Sequence, residues 1–325
     1  MRLKHLTLLA CLALPVGAEA GVKEAVEGHI LPGVAEFSDK AQSLGAVASE
    51  ACEGPALEAA YNEAFDAWLG VSHLVFGPVE DLDLTLSFAF WPDPKNQTGK
   101  ALGRLISAED PVIEFPIEYA QVSVAAQGFF ALERMIYDPP GTGAYACALV
   151  AAIAGNLANN AQLVNAGWQD FAFVVTEPGP DNPRFKSEAE AQRALYTSLS
   201  TGLEFIHDQR LARPLGTFDR PRPTRAEARR SGRSLRNVEV SLLALKDLAS
   251  KFSDAPTPRL DAAYAKAFER VAAIDTPDFS GVSNPGQRLR IEALQVDVKE
   301  VQIETIEEIG APMGLSAGFN ALDGD

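Results

Sequence analysis

The run AQGFFALERMIY, from Ala126 to Tyr137, carries the carboxylate best placed for chemistry in this sequence. On a helix, Phe130 and Glu133 are three residues apart and share one face. Gly128 lacks a side chain, so a backbone segment or a ligand can approach it closely. Glu133 either pairs with Arg134 or an arginine of a neighbouring helix, or it belongs to a binding site, because a buried carboxylate needs a partner.

Two further candidates lie earlier in the chain. His29 stands close to Pro32, where we expect a kink or break in the first helix. A histidine there is either packed or capping, or part of a site. Asp93 lies in a loop predicted for 79–100 that is rich in aromatic residues and proline. It either forms a turn or supplies a fixed acid, since long structured loops often carry function.

A basic segment interrupts an otherwise acidic chain, whose formal net charge is −16. Between Arg210 and Arg236 lie nine arginines and only two acidic residues, Asp219 and Glu227. Arginine forks bind carboxylates and phosphates, so Arg213 and Arg233 are candidates to hold an anionic ligand or a protein partner. The alternative is that these arginines pair with acidic helices of the same molecule. The net charge itself argues against nucleic acid as a partner.

The N-terminus has the features of a secretory signal peptide over residues 1–20. A basic start, an apolar run and Ala18-Glu19-Ala20 favour cleavage before Gly21 over lipid attachment at Cys11, and no later stretch is predicted to span a membrane. We therefore expect a periplasmic protein. Outside the cytoplasm Cys52 and Cys147 are a candidate disulfide, with two buried thiols as the alternative.

Apolar residues recur at helical spacing through most of the chain, and no alternating strand pattern accompanies them. The predicted fold class is therefore all-α. The run EPGPDNP, from Glu177 to Pro183, is the clearest boundary. It predicts an N-terminal helical-bundle domain over 21–176, with the loop 79–100, and a C-terminal helical-bundle domain over 184–325.

Several short motifs, in order, resemble the imelysin family of bacterial envelope proteins. They are HILPG, FGP, FWPD, GFFALE, ARPLG followed by SGRSLRN, and GFNALDGD. The resemblance implies two helical bundles packed about a pseudo-twofold axis with a functional cleft between them. The family is associated with iron-regulated uptake and is classed with metallopeptidases because of a GxHxxE motif. Here Gly128 and Glu133 match that motif, whereas Phe130 stands at the histidine position.

Phenylalanine can neither ligate a metal nor exchange a proton, so this substitution weakens the metallopeptidase hypothesis. The favoured function is a binding or accessory protein with an iron-related or haem-related ligand and envelope iron-uptake components as partners. Its expected site comprises Gly128, Phe130, Glu133, His29, Asp93, Arg213 and Arg233. The alternatives are a hydrolase in which His29, His73 or His207 replaces the missing ligand, and a structural partner that docks through the arginines.

Overall fold

The fold was analysed in a computed structural model, which describes residues 21–315. The expected signal peptide and the C-terminal GFNALDGD motif lie outside these residues. Within residues 21–315 the chain is helical, with an isolated bridge between Thr217 and Arg220 and no β-strand. The all-α prediction is therefore confirmed.

The first half of the described chain, residues 21–176, contains five longer helices. Proline or glycine residues mark several of their ends. Pro55 starts the second of them and the sequence Asp138-Pro139-Pro140 follows the fourth, because proline fits a first turn but not a helix interior. The five are α1 (Leu31–Glu50), α2 (Pro55–Val71), α3 (Gln97–Ala108), α4 (Gly128–Tyr137) and α5 (Ala144–Thr176).

Pro32 does not break the first helix. A short helix, Val22–Ala25, leads into a π-helical turn, Val26–Ile30, which continues directly into α1. Proline has no N–H to donate to the preceding turn, and a wider turn absorbs the missing bond. The expected irregularity is therefore present as a π-helical turn, and this turn contains His29.

The segment expected to be an irregular loop, 79–100, contains local helical structure. Two single-turn helices, Pro78–Asp81 and Thr85–Phe88, precede an extended stretch that carries Trp91 and Asp93. Phe88 is fully buried against Phe37 and Trp68. The segment is therefore anchored to the core and holds its later residues in a defined place.

Helix α5 is the longest helix, and its composition raises the question of a membrane. By length and mean hydropathy it could cross one, but 56% of its most apolar window is buried inside the protein. Its apolar face packs on α1, and Leu149, Ile153 and Leu157 are fully buried. Burial in the core accounts for this apolarity, as in many core helices.

The second half of the described chain, residues 184–315, contains four longer helices. A second π-helical turn, Phe205–Leu211, follows the first of them and contains His207, as the first π turn contains His29. Eight of the nine arginines of the basic segment lie between the first and second of these helices. The four are α6 (Glu188–Glu204), α7 (Ser234–Phe252), α8 (Pro258–Ala272) and α9 (Pro285–Thr305).

The two halves pack on each other through α2 and α7. Their buried apolar side chains form one continuous cluster that includes residues of both halves. Within the first half, Cys52 and Cys147 form a disulfide with a Cα to Cα distance of 5.0 Å, and this bond joins the end of α1 to the start of α5.

Candidate functional site

Helix α4 places Glu133 at the contact between the two halves. Its first residue, Gly128, has φ of 69°, and a Cβ there would collide with the carbonyl oxygens of Ser87 and Phe88. Only glycine tolerates both the backbone conformation and this close approach. The close approach predicted at Gly128 is therefore made by backbone, and it fixes α4 against the segment that carries Trp91.

The Glu133 side chain is bonded to the second half and not to Arg134. Ser231 donates two hydrogen bonds to Glu133 Oε1, from its backbone N–H at 3.0 Å and from its hydroxyl at 2.8 Å. Arg134 pairs with Asp138. Burial raises the pKa of Glu133 above its usual value, while the Ser231 bonds and the charge of Arg230 oppose the rise. The carboxylate is 2% exposed and carries no salt bridge within the described chain.

Aromatic side chains form the wall beside Glu133. Phe130 packs edge-on against Phe65, with ring centroids 5.7 Å apart, and stacks on Trp91 at 6.4 Å. Asp93, two residues after Trp91, accepts hydrogen bonds from the backbone N–H groups of Gln97 and Thr98 at 2.8 and 2.9 Å. Asp93 therefore caps the start of α3, as the turn-forming interpretation predicted, and it borders the same cavity.

A cavity of about 440 Å³ lies between this aromatic wall and the basic segment Arg210 to Arg236, called the arginine segment below. Arg213, Arg225 and Arg229 line it, and none of them forms a salt bridge to a carboxylate of the described chain. Arg213 lies over the Trp91 ring, 5.6 Å from its centroid, and its buried Nε has no hydrogen-bond partner. Burial, with repulsion from Arg225 as the second cause, lowers the pKa of Arg213. Five arginines and two carboxylates, Asp93 and Glu133, line the cavity, so positive charge is in excess there.

Other arginines of the segment hold the fold together. Arg233 forms a salt bridge with Asp66 and donates to Asn62 Oδ1 at 2.9 Å, so it binds α2 and does not line the cavity. Arg210 forms a buried pair with Glu227 at 2.6 Å. The basic segment therefore divides between the two interpretations offered by the sequence: some arginines pair internally and others face a cavity.

His29 also lies away from Glu133. Its Nδ1 is 2.7 Å from Asp247 Oδ2, and its Nε2 is 3.1 Å from His73 Nε2. Burial and the nearby His29 lower the pKa of His73 well below its usual value, and the His29 bond is the main cause that lowers the pKa of Asp247. His29 and His73 are buried, Asp247 is partly exposed, and the three residues form a separate hydrogen-bonded chain between the halves. The third histidine, His207, contacts Asp208 at 2.5 Å.

The residues of the Glu133 cavity do not fit a histidine-ligated metal. No histidine lines the cavity, and within residues 21–315 no group of three histidine, cysteine or acidic side chains has the spacing to hold a metal ion. Asp93 is committed to two backbone N–H groups, and the adjacent arginines repel a bare cation. None of His29, His73 and His207 lines this cavity, so none replaces the ligand missing at Phe130, and we derive no hydrolytic step.

Sequence reasoning singled out Gly128, Phe130, Glu133, Asp93 and Arg213, and the last four of these line one cavity, whereas Gly128 contacts the backbone of Ser87 and Phe88. It missed Ser231, the direct partner of Glu133, and did not separate Arg225 and Arg229 from the other arginines. Ser231 lies 98 residues from Glu133, and no local pattern links them. The one available signal was the SGRSLRN motif, which begins at Ser231.

Comparisons with known proteins agree on the fold. A structure of an imelysin-like protein from Psychrobacter arcticum 273-4 has a TM-score of 0.76 and 17% identity, and the alignment covers 95% of this chain and all of that one. A provisionally assigned iron-regulated protein A precursor from Parabacteroides distasonis ATCC 8503 has a TM-score of 0.70 and 12% identity, covering 91% and 98% of the two chains. No curated protein matches the sequence significantly.

The family model described as Imelysin (Peptidase_M75) matches residues 30–304. This range includes α4, the arginine segment and all the longer helices of both halves. The chain belongs to the imelysin family.

Proposed function

We propose that this chain is a ligand-binding protein whose cavity beside Glu133 holds an organic anion or an anionic metal chelate. One observation carries the proposal: Arg213, Arg225 and Arg229 face a cavity of about 440 Å³ and form no salt bridge within the described chain. Arginines that outnumber the nearby carboxylates attract carboxylates or phosphates, which they bind through paired N–H donors. The aromatic wall of Trp91 and Phe130 excludes water and strengthens those bonds.

We further propose that the ligand is a ferric chelate or a haem-related anion, bound in the periplasm for delivery to envelope iron-uptake components. The iron-regulated assignment of the Parabacteroides neighbour supports this ligand class. The charge of the cavity also suits chelated iron better than free iron, because carboxylate chelators present negative oxygens to arginine. The signal-peptide features of residues 1–20 support the location.

Titration calorimetry with citrate, ferric citrate, phosphate and haem would test the binding role. We expect citrate or its ferric complex to bind and expect Arg225→Gln and Arg229→Gln to weaken the affinity about tenfold each, since each change removes one charged hydrogen-bond donor. Arg193→Gln, at an exposed position of α6 outside the cavity, is the matched control and should leave the affinity unchanged.

Two results would contradict the proposal. The first is no heat with any of the four ligands from folded protein. The second is equal loss of affinity in Arg193→Gln and Arg225→Gln, which would place binding on the general surface charge. For the location, N-terminal sequencing of protein recovered from the periplasm should begin at Gly21, and retention of Met1 in the cytoplasm would refute it.

A further inference from the structure

A second cavity, of about 420 Å³, lies against the first. Its lining is mainly apolar and aromatic, with Trp68, Phe205 and Leu245 among its walls. Trp91 and Phe130 line both cavities, so the two spaces meet at these two rings. The two spaces are therefore neighbours that differ in character, one basic and one apolar.

Three polar residues that line the second cavity, Arg210, Glu227 and Ser241, are already joined by hydrogen bonds. Arg210 donates to Glu227 Oε2 at 2.6 Å and to the Ser241 hydroxyl at 2.8 Å. Asn237 donates to the same Glu227 oxygen at 2.9 Å. An arginine that Glu227 has neutralised has less to offer a second anion, and a charged group would be poorly solvated there. This cavity therefore suits an uncharged part of a ligand.

The first cavity has the opposite property, because Arg213, Arg225 and Arg229 lack carboxylate partners within residues 21–315. A ligand that spans both spaces would place its charge among these arginines and its apolar part beyond Trp91 and Phe130. The orientation follows from the charges, since the reverse placement would bury an anion beside an arginine that Glu227 has already neutralised.

We propose that the ligand is an amphiphilic organic anion, with a carboxylate or phosphate head in the arginine cavity and an apolar body in the adjoining cavity. This inference rests on the proposed function and specifies the ligand class of the same site. Phe130 acquires a role in it: the aromatic ring that stands where the family motif has histidine forms an apolar passage between head and body. A polar imidazole at this position would have to be desolvated beside the apolar part of the ligand.

The test is titration calorimetry with straight-chain carboxylates of increasing length, from butanoate through hexanoate to octanoate, with citrate in parallel. Each methylene that enters the apolar cavity should lower the Kd about threefold to fourfold, the ratio given by the free energy of burying one methylene. Octanoate should therefore bind about a hundredfold more tightly than butanoate. Arg225→Gln should weaken binding of every member of the series by a similar factor, because it acts on the head.

A substitution that fills part of the second cavity tests where the apolar body of the ligand lies, and a neighbouring substitution serves as its control. Thr201→Leu adds an apolar side chain at a partly buried position that lines the second cavity. Ser200→Leu makes a similar change at the preceding residue, which does not line that cavity. Thr201→Leu should remove most of the gain from butanoate to octanoate and leave citrate binding unchanged. Ser200→Leu should retain the gain. Ser72→Leu, at another lining position, repeats the test should Thr201→Leu fail to fold.

The outcomes separate the two proposals. Citrate binding with no dependence on chain length would overturn the amphiphile inference and leave the proposed function standing. Chain-length dependence that survives both Thr201→Leu and Ser72→Leu would place the tail elsewhere and would also overturn the inference. Absence of binding by every straight-chain carboxylate and by citrate, ferric citrate, phosphate and haem would remove the proposed function itself.

Discussion

Glu133 and Phe130 occupy two positions of one helix turn and have opposite relations to their surroundings. Phe130 is apolar and packs between Phe65 and Trp91. Glu133 is even more buried, and its charge is opposed by hydrogen bonds from Ser231 and by the backbone and charge of Arg230. A carboxylate held this way is costly to the fold, which is typical of functional positions.

The cost predicts that Glu133→Gln stabilises the protein at neutral pH. Burial raises the folded-state pKa of Glu133, so the native state above that pKa carries a charge it solvates poorly. The amide keeps an acceptor for Ser231 and removes the charge, with an expected gain of roughly 1 kcal/mol in the free energy of unfolding at pH 7. Urea denaturation of both proteins measures it.

The pH dependence provides the internal control for Glu133→Gln. The group has a raised pKa, so wild type gains stability relative to the variant as pH falls through the folded pKa towards the unfolded one near 4.5. The difference between the two proteins should therefore shrink on acidification from pH 7. A difference that grows towards pH 4.5 would contradict the assignment of the raised pKa.

His73 should make the protein sensitive to mild acid. Its folded pKa lies well below its usual value, so the unfolded chain takes up a proton that the native state refuses. Stability contributed by neutral His73 is complete above the unfolded pKa of about 6.5 and is lost as pH falls below it, with a slope of at most about 1.4 kcal/mol per pH unit. His73→Leu should reduce that slope in thermal denaturation between pH 6.5 and 5.

The range between pH 7 and 8 serves as the reference for His73→Leu. An unfolded histidine is largely neutral there, so the two stability curves should run parallel whatever the absolute cost of losing the His29 contact. Equal slopes for both proteins below pH 6.5 would show that His73 takes up its proton in the native state as readily as in the unfolded one.

At the scale of elements, the start of α4 decides where Glu133 lies. Gly128 allows the helix to begin directly beneath the carbonyl oxygens of Ser87 and Phe88. This contact ties α4 to the segment that supplies Trp91 and Asp93. Two of the three π-helical turns in the described chain act in a comparable way, since each places a histidine, His29 or His207, at a helix irregularity.

Gly128→Ala tests this contact. The new Cβ would require φ of 69° and would overlap two backbone carbonyls, neither of which can move as a flexible side chain can. We expect a loss of about 2–4 kcal/mol in the free energy of unfolding. Chemical denaturation provides the measurement, and loss of citrate binding should accompany it because the cavity wall shifts.

Gly103→Ala is the matched control for Gly128→Ala. Gly103 lies inside α3, and nothing is within 4 Å of an added Cβ. Alanine is the better helix former, so this change should stabilise by up to about 1 kcal/mol. Similar effects of the two substitutions would show that helix propensity, and not the close backbone approach, governs Gly128.

At the scale of the whole molecule, the disulfide spans a large part of the first half. Cys52 and Cys147 are 95 residues apart and enclose α2, α3 and α4, and therefore Glu133. A bond that closes so long a loop restricts the unfolded chain strongly. It stabilises the half that carries the aromatic wall of the cavity.

Replacing both cysteines with serine should lower the free energy of unfolding by about 2–5 kcal/mol. Urea denaturation of the double variant, compared with oxidised wild type, measures the loss. Reduced wild type should resemble the double variant. A loss under 1 kcal/mol would show that contacts of α1 with α5 already restrict this loop in the unfolded ensemble.

Local signals in the sequence are enough to predict most of the fold. The helices follow apolar repeats of three and four residues, and glycine and proline mark their ends, because both effects act within one or two turns. The same local chemistry placed an irregularity at Pro32 and a close approach at Gly128. Ordered motifs along the chain identified the imelysin family, and the variant motif at Phe130 turned the interpretation from hydrolysis towards binding.

Only the tertiary structure decided which of these residues meet. It joined Glu133 to Ser231 across 98 residues and His29 to Asp247 across 218, which removed His29 from the site. It also separated arginines that pair with acidic side chains, such as Arg210 and Arg233, from arginines that face a cavity without such a pair, such as Arg213 and Arg225. Such contacts depend on how helices far apart in sequence pack, and residue spacing along the chain carries no record of that packing.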